Sequence, residues 1–222
     1  MKPPLAIFFH SYLSGNGVEF GHASEIFLEL TQAANASGLA DAADEYVIGS
    51  SGGEANYIAA CTMACPKATI VENPLDSIAE LPTLQLAHDW AKANPTGRVW
   101  YWHLKGALHN AGTKTTWTIW RHCCSNAVIW GWRECMKGLN GGFDTAGAHW
   151  ISPERYPSLC SSSYWGGNFW CATSKHLARL VPIDHINWSR YHGEAWIGYV
   201  PKGQNITPMK FANHFPMQGC GQ

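Results

Sequence analysis

Val99-Trp100-Tyr101-Trp102 is a run of β-branched and aromatic residues with no polar position to turn toward water, bounded upstream by Asn94-Pro95-Thr96-Gly97. A strand of this kind is buried on both faces, so the chain must supply packing above and below it. The run ends in His103-Leu104-Lys105-Gly106, which puts an imidazole and an ammonium at the turn that follows. In α/β sheets, ligands sit in the crevice outside the carboxyl ends of the strands, so this polar end is a candidate site by position. A strand whose last residues reach solvent, with Lys105 as a surface charge, accounts for the pattern equally well.

Before this run, strand and helix patterns alternate, without an internal sequence repeat. Leu5-Ala6-Ile7-Phe8-Phe9 is a second continuous apolar run and ends in His10-Ser11-Tyr12. Past Gly15-Asn16-Gly17, Ser24 caps a helix with Ile26, Phe27, Leu30, Ala33 and Ala34 on one face, stopped at Gly38. A strand over 44–49 runs into Ser50-Ser51-Gly52-Gly53, a small-residue loop without the Lys-Ser/Thr of a P-loop, hence a weak phosphate motif. A third short strand over 68–74 ends in a turn. Pro82 then opens a helix bearing Leu84, Ala87 and Trp90, ended by Asn94-Pro95. This alternation predicts an α/β fold with a mostly parallel central sheet between two helical layers. With 222 residues, 46% of them apolar, the whole chain 1–222 reads as a single domain.

Beyond Gly106, a loop carrying His109, Asn110 and Lys114 is placed to close over a ligand. Trp117, Trp120, Cys124, Ala127, Gly131, Cys135 and Leu139 recur at helical spacing and predict one long helix over 116–139, with Arg121 and Arg133 interrupting its apolar character. Residues 143–150 read as a strand with Asp144 near its start. A short helix is expected over 174–180, and Arg190 to Gly198 reads as a helix or a loop setting Glu194 among aromatics. The tail from 204 to 222, with His214 and Cys220, shows little periodicity.

Composition narrows the class. A formal charge of −1 and a pI near 6.8 provide no global basic field for nucleic acid, although a local groove stays open. Charged residues are only 14%, against 12 Trp and 11 His, a surplus that suits sugar or base pockets as well as an aromatic-heavy core. The start Met-Lys-Pro-Pro-Leu-Ala lacks an apolar leader, so the eight cysteines are expected as reduced thiols in a cytoplasmic protein. The sequons at Asn35, Asn187 and Asn205 then carry no meaning. No stretch is long and apolar enough for a bilayer, so no membrane partner is expected. Cys61-x-x-x-Cys65 lacks a second pair at zinc-binding distance, and Cys123-Cys124 read as packed small hydrophobes, so no residue is assigned to a metal. Carboxylates in apolar surroundings are candidates for base catalysis, because desolvation raises their pKa. Asp144 and Glu194 fit that description, although Asp144 also fits a turn after Gly141-Gly142. Gly166-Gly167-Asn168-Phe169-Trp170 offers close backbone approach, an amide and two flat faces, equipment for a polyol or for a tight turn in an aromatic core.

Taken in order, His10 after the first strand, Tyr101-x-His103-x-Lys105-Gly106, Trp120-Arg121, Gly167-Asn168-Phe169-Trp170 and Arg190 to Glu194-x-Trp196-Ile197 resemble small GT-A-like glycosyltransferase-related proteins, over roughly residues 5 to 199. The resemblance implies transfer of a sugar from a nucleotide-sugar donor, a UDP-sugar first among them, on a GT-A-like three-layer nucleotide-binding fold. The acceptor would be a hydroxyl of a glycan, a protein, or a hydroxymethylated base in viral or phage DNA. Typical members end the strand corresponding to 99–102 in Asp-x-Asp, which holds a divalent metal against the donor diphosphate. Here His103-Leu104-Lys105 stands instead, so the positive charge would come from Lys105 with Arg121, or His103 would ligate a metal. His10, His103, Lys105, Gly106 and Arg121 would form the donor corner and Glu194 would be the base, with Asp144 a second catalytic carboxylate. Gly167, Asn168, Phe169, Trp170 and Trp196 would line a sugar. Two rival readings are a non-catalytic carbohydrate- or nucleotide-binding module on the same fold and a cysteine-dependent hydrolase or transferase.

Overall fold

The strand Leu5–Tyr12 (β1) is buried along nearly its whole length because its two faces feed two separate cores. Leu5, Ile7 and Phe9 join Trp100 and Trp102 on one side, and Ala6 and Phe8 join Val99 and Tyr101 on the other. That is the physical sense of an unbroken apolar run: alternate residues point oppositely, and both directions are covered. The computed structural model describes residues 2–12, 18–51, 62–73, 80–107, 114–153, 162–185 and 190–210. Gly52-Gly53, Cys61, His109, Asn110, the Asn187 sequon and the tail residues His214 and Cys220 lie outside them.

After β1 come Val18–Ala36 (α1), Leu39–Ala42 (α2), Glu45–Ser51 (β2), Thr69–Asn73 (β3), Leu81–Ala93 (α3) and Arg98–His103 (β4). Lys114–Ser125 (α4), a π-helical turn Asn126–Trp130 and Trp132–Asn140 (α5) follow. The last third contains Thr145–Gly147 (β5), Trp150–Ile151 (β6), Tyr164–Trp165 (β7), Trp170–Thr173 (β8), Ser174–Ala178 (α6), Arg190–Ala195 (α7) and Pro208–Lys210 (β9). Seven strands form one sheet in the order β3-β2-β1-β4-β8-β5-β9, and β6 pairs with β7 apart from it. Pairing is parallel from β3 through β4 and again between β5 and β9, whereas β8 runs antiparallel to both its neighbours. The result is the expected α/β fold with a mostly parallel central sheet. On one face α1 inserts Ile26, Phe27 and Leu30, with Phe27 stacked on Phe9 at 5.1 Å; on the other, α3 buries Leu84, Ala87 and Ala91. No helix among the described residues is long and apolar enough to cross a membrane.

Two expectations are corrected here. The single helix over 116–139 is interrupted by the π-helical turn, where backbone carbonyls are taken by side chains: Trp100 Nε1 donates to Val128 O at 3.0 Å and Cys135 Sγ to Ala127 O at 3.4 Å. Gly131 permits the distortion, since a Cβ there would lie 2.6 Å from Ala127 O. The strand over 143–150 divides into β5 and β6 in different sheets, with Trp165 packed against Gly147 so closely that a Cβ would lie 2.6 Å from its ring.

Candidate active site

The chain lays β1, β2 and β3 outward in one direction and then returns to place β4 on the opposite side of β1. Such a reversal leaves a crevice at the carboxyl ends of the two strands flanking it, because the connections leave to opposite sides. His10 of β1 and His103 of β4 are opposite one another in register at that switch point. Both project to the α3 side of the sheet, each two residues beyond an aromatic, Phe8 or Tyr101, that points the same way.

His10 is buried, and its Nδ1 lies 3.0 Å from the Thr83 hydroxyl. Asn73 Nδ2 donates to that hydroxyl at 3.3 Å and to Ser51 Oγ at 3.1 Å, which ties the ends of β1, β2 and β3 to the first turn of α3. Gly49 makes room for this link, since a Cβ there would overlap the Thr83 side chain. Burial, and then the neighbouring His103, push the His10 pKa down to about 3, so the ring is neutral at physiological pH.

Glu80, just before α3, is 4% exposed and does not cap its own helix. Its Oε2 accepts from the Tyr101 hydroxyl at 2.7 Å and lies 3.4 Å from His103 Nδ1. Burial pushes its carboxyl up to about 7; Glu194 pushes the same way, while Tyr101, Asn168 and Lys105 oppose. The Tyr101 hydroxyl is in turn driven well above its usual range by burial and by Glu80. Gly193 of α7 packs directly on this carboxyl, a Cβ there falling 2.8 Å from Glu80 Oε1, and so brings Glu194 over the cluster.

Lys105 Nζ, in the turn after β4, pairs with Glu194 Oε1 at 3.2 Å, the two side chains being 12% and 23% exposed. The ammonium also lies 5.3 Å from the Trp117 ring and 5.9 Å from the Trp120 ring, where the aromatic faces favour a cation. Gly106 has φ +93° and packs against Trp117 and Arg121. His10, His103, Lys105, Gly106 and Glu194 are therefore gathered at one edge of the sheet.

The other sequence-selected residues have different surroundings. Arg121 is buried and its guanidinium is spent on protein: Nε and Nη2 reach Glu29 at 3.0 and 2.7 Å, and Nη1 donates to Lys105 O at 3.2 Å. It fixes the Lys105 turn from behind. Phe169, Trp170 and Trp196 are fully buried, so no face is left for a sugar. Trp170 stacks on Tyr101 at 4.9 Å and donates to Asn168 Oδ1 at 2.7 Å, Phe169 meets His103 edge-on at 6.2 Å, and Trp196 donates to Val181 O at 3.0 Å. Gly167 (φ +87°) and Asn168 (φ +51°) form the left-handed turn that lets this block double back under the site, with Gly167 against Trp120. Asp144 is at the opposite edge of the sheet, immediately before β5, where Arg179 pairs with it at 2.9 Å and Thr207 N donates to it at 2.9 Å. The antiparallel course of β8 puts the start of β5 level with the start of β4, far from its carboxyl end.

Glu80, Tyr101 and Thr83 complete the cluster; Glu80 and Thr83 were not singled out from sequence, and Tyr101 stood in the Tyr101-x-His103-x-Lys105-Gly106 motif without a role of its own. A carboxylate just before Pro82 resembles an ordinary helix start, and Tyr101 resembles one more core aromatic. The signal available for Glu80 was a lone acid between apolar Leu81 and Ala79 ahead of a buried helix. His103 stands 3.4 Å from one carboxylate, Glu80, and the Lys105 ammonium 3.2 Å from another, Glu194. Among the described residues no group of three or more His, Cys, Asp or Glu is arranged to hold a metal.

No family model and no curated protein matches the chain. Solved structures do. A protein from Desulfovibrio desulfuricans G20 described as a nucleotide-diphospho-sugar transferase is 14% identical, over 87% of this chain and 71% of that one, with a TM-score of 0.47. A mycobacterial protein is 12% identical over 81% of this chain and 56% of its own, with a TM-score of 0.48. CMP:2-keto-3-deoxy-manno-octonic acid synthetase, solved with CTP, is 8% identical over 86% and 81%, with a TM-score of 0.40. These are likenesses of layout.

Proposed function

We propose that this protein is a glycosyltransferase that moves a sugar from a nucleotide-sugar donor, a UDP-sugar first among the candidates, to an acceptor hydroxyl. One observation carries the reading: at the switch point between β1 and β4, a mostly buried ammonium, Lys105, is held against a mostly buried carboxylate, Glu194. A donor diphosphate entering the crevice offers Lys105 a stronger anionic partner, and the exchange releases Glu194. The carboxylate then accepts the proton of the acceptor hydroxyl as its oxygen bonds to the anomeric carbon. The bond from that carbon to the diphosphate breaks, and Lys105 stabilises the departing charge. Neutral His10 faces the nucleotide end of the crevice. Tyr101 and Glu80 hold His103 in place, so that the edge of the site is set by buried hydrogen bonds before any ligand arrives.

Incubation with a panel of nucleotide sugars, with released nucleotide as the readout, tests the proposal. Turnover by the wild type and its loss in Lys105→Ala are expected; retained turnover in that variant would overturn the role of Lys105. A binding module on the same fold is the second reading, favoured by the mutual neutralisation of Lys105 and Glu194. It predicts donor binding without nucleotide release, and indifference to Glu194→Gln.

A further inference from the structure

Away from the sheet edge, α1 and the π-helical turn enclose an open groove of about 690 Å³. Glu25, Glu29 and Gln32 line it from α1, and Asn126 and Trp130 from the turn. The π-helical distortion presents Trp130 here: the preceding Val128 and Ile129 stay fully buried, while the Trp130 indole is 50% exposed. A tryptophan half in water, sharing a groove with two carboxylates and two amides, differs from the fully buried tryptophans of this chain. Leu28, 44% exposed, is the other large apolar side chain in the lining, too little to seat an apolar helix.

The charges select among ligands. Glu25 and Glu29 are the formal charges in the lining, Glu25 lying 3.6 Å from His22 and Glu29 held by Arg121 and 3.4 Å from His122. Among the described residues no Lys or Arg lines the groove and its one basic side chain, His122, faces Glu29, so a phosphodiester backbone meets mainly carboxylates in place of counter-charges. A neutral polyhydroxyl chain fits every wall: its C–H face stacks on the indole, and its hydroxyls donate to carboxylates and exchange hydrogen bonds with amides. The volume lies within the range of sites that enclose a small ligand. One buried side chain links the groove wall to the Lys105 turn: Glu29 grips the Arg121 guanidinium, whose Nη1 donates to the Lys105 carbonyl at 3.2 Å.

We propose that this groove binds a neutral oligosaccharide, the acceptor chain of the transfer, with Trp130 as its stacking platform. The acceptor role rests on the transferase reading above; the binding itself does not. Isothermal titration of the full chain, without donor, with malto-, cello-, chito-, manno- and xylo-hexaoses tests it. Saturable binding of at least one is expected, weakened about tenfold or more in Trp130→Ala and largely kept in Trp130→Phe. Unchanged melting of both variants shows that the fold is intact, as the exposure of Trp130 leads one to expect. Absence of binding by all five sugars, equal binding by Trp130→Ala, or displacement of the bound sugar by duplex DNA would each overturn the proposal. Nucleotide-sugar turnover without oligosaccharide binding would refute the groove alone. Trp130-dependent binding without turnover would refute the transferase reading alone.

Discussion

Replacing Glu80 by Gln removes the titration of the raised carboxyl in the buried cluster, while keeping an oxygen for the Tyr101 hydroxyl. Glu80 moves from 4.5 to about 7 on folding, chiefly because burial penalises its charge. Between those values the folded state holds a proton that the unfolded state has released, so wild-type stability falls as pH rises through this window. The displacement corresponds to about 3 kcal/mol, present in full below the unfolded value and lost once pH exceeds about 7. The amide of the variant does not titrate, so Glu80→Gln should match the wild type at about pH 4 and exceed its stability by up to about 3 kcal/mol at about pH 8. In a chain of this size that is about 6–12 °C in melting temperature. Comparing the two proteins is necessary because His10 and His176, pushed down to about 3 and about 4, destabilise the fold in the opposite direction as acid is added. Both proteins share that contribution, and it cancels in the difference. Denaturant melts at matched pH values provide the measurement. A wild-type-minus-variant difference that does not change between those pH values would refute the assignment of a raised pKa to Glu80.

Two further perturbations test the supports of the site. Arg121→Ala strips the paired guanidinium from Glu29 and from the Lys105 carbonyl, with an expected loss of about 2–4 kcal/mol in denaturant melts; Arg121→Lys should not restore it, because an ammonium cannot replace the two-pronged contact. Gly49→Ala forces a methyl into the Thr83 side chain, so about 1–3 kcal/mol should be lost and the His10 ring should shift in its NMR spectrum.

Much of the sheet edge was legible in the residues. His103 and Lys105 end a strand too apolar to be anywhere but the centre of the sheet, and a central strand of a parallel sheet delivers its carboxyl end to the ligand crevice. Glu194 stood out as a carboxylate among aromatics, and it reaches Lys105 across 89 residues of sequence. The same reasoning misjudged residues whose chemistry was right but whose address was not. Trp170 and Trp196 have the faces of a sugar platform, yet those faces are consumed by Tyr101 and the core. The exposed tryptophan, Trp130, lay inside what reads as a plain helical repeat, because a π-helical turn leaves no mark in hydrophobic spacing.

By itself, the sequence determined the local periodicities: which stretches are strands buried on two faces, which are helices with one apolar side, and hence an α/β sheet between two layers. Only the tertiary structure decided the order of the strands, because pairing is a contest among long-range contacts that no local pattern encodes. That order placed His10 beside His103 and sent Asp144 to the far edge. It also turned Glu80 from a helix-start acid into a buried carboxyl near neutral pKa, since desolvation depends on what surrounds a group in space and leaves no trace in its neighbours along the chain.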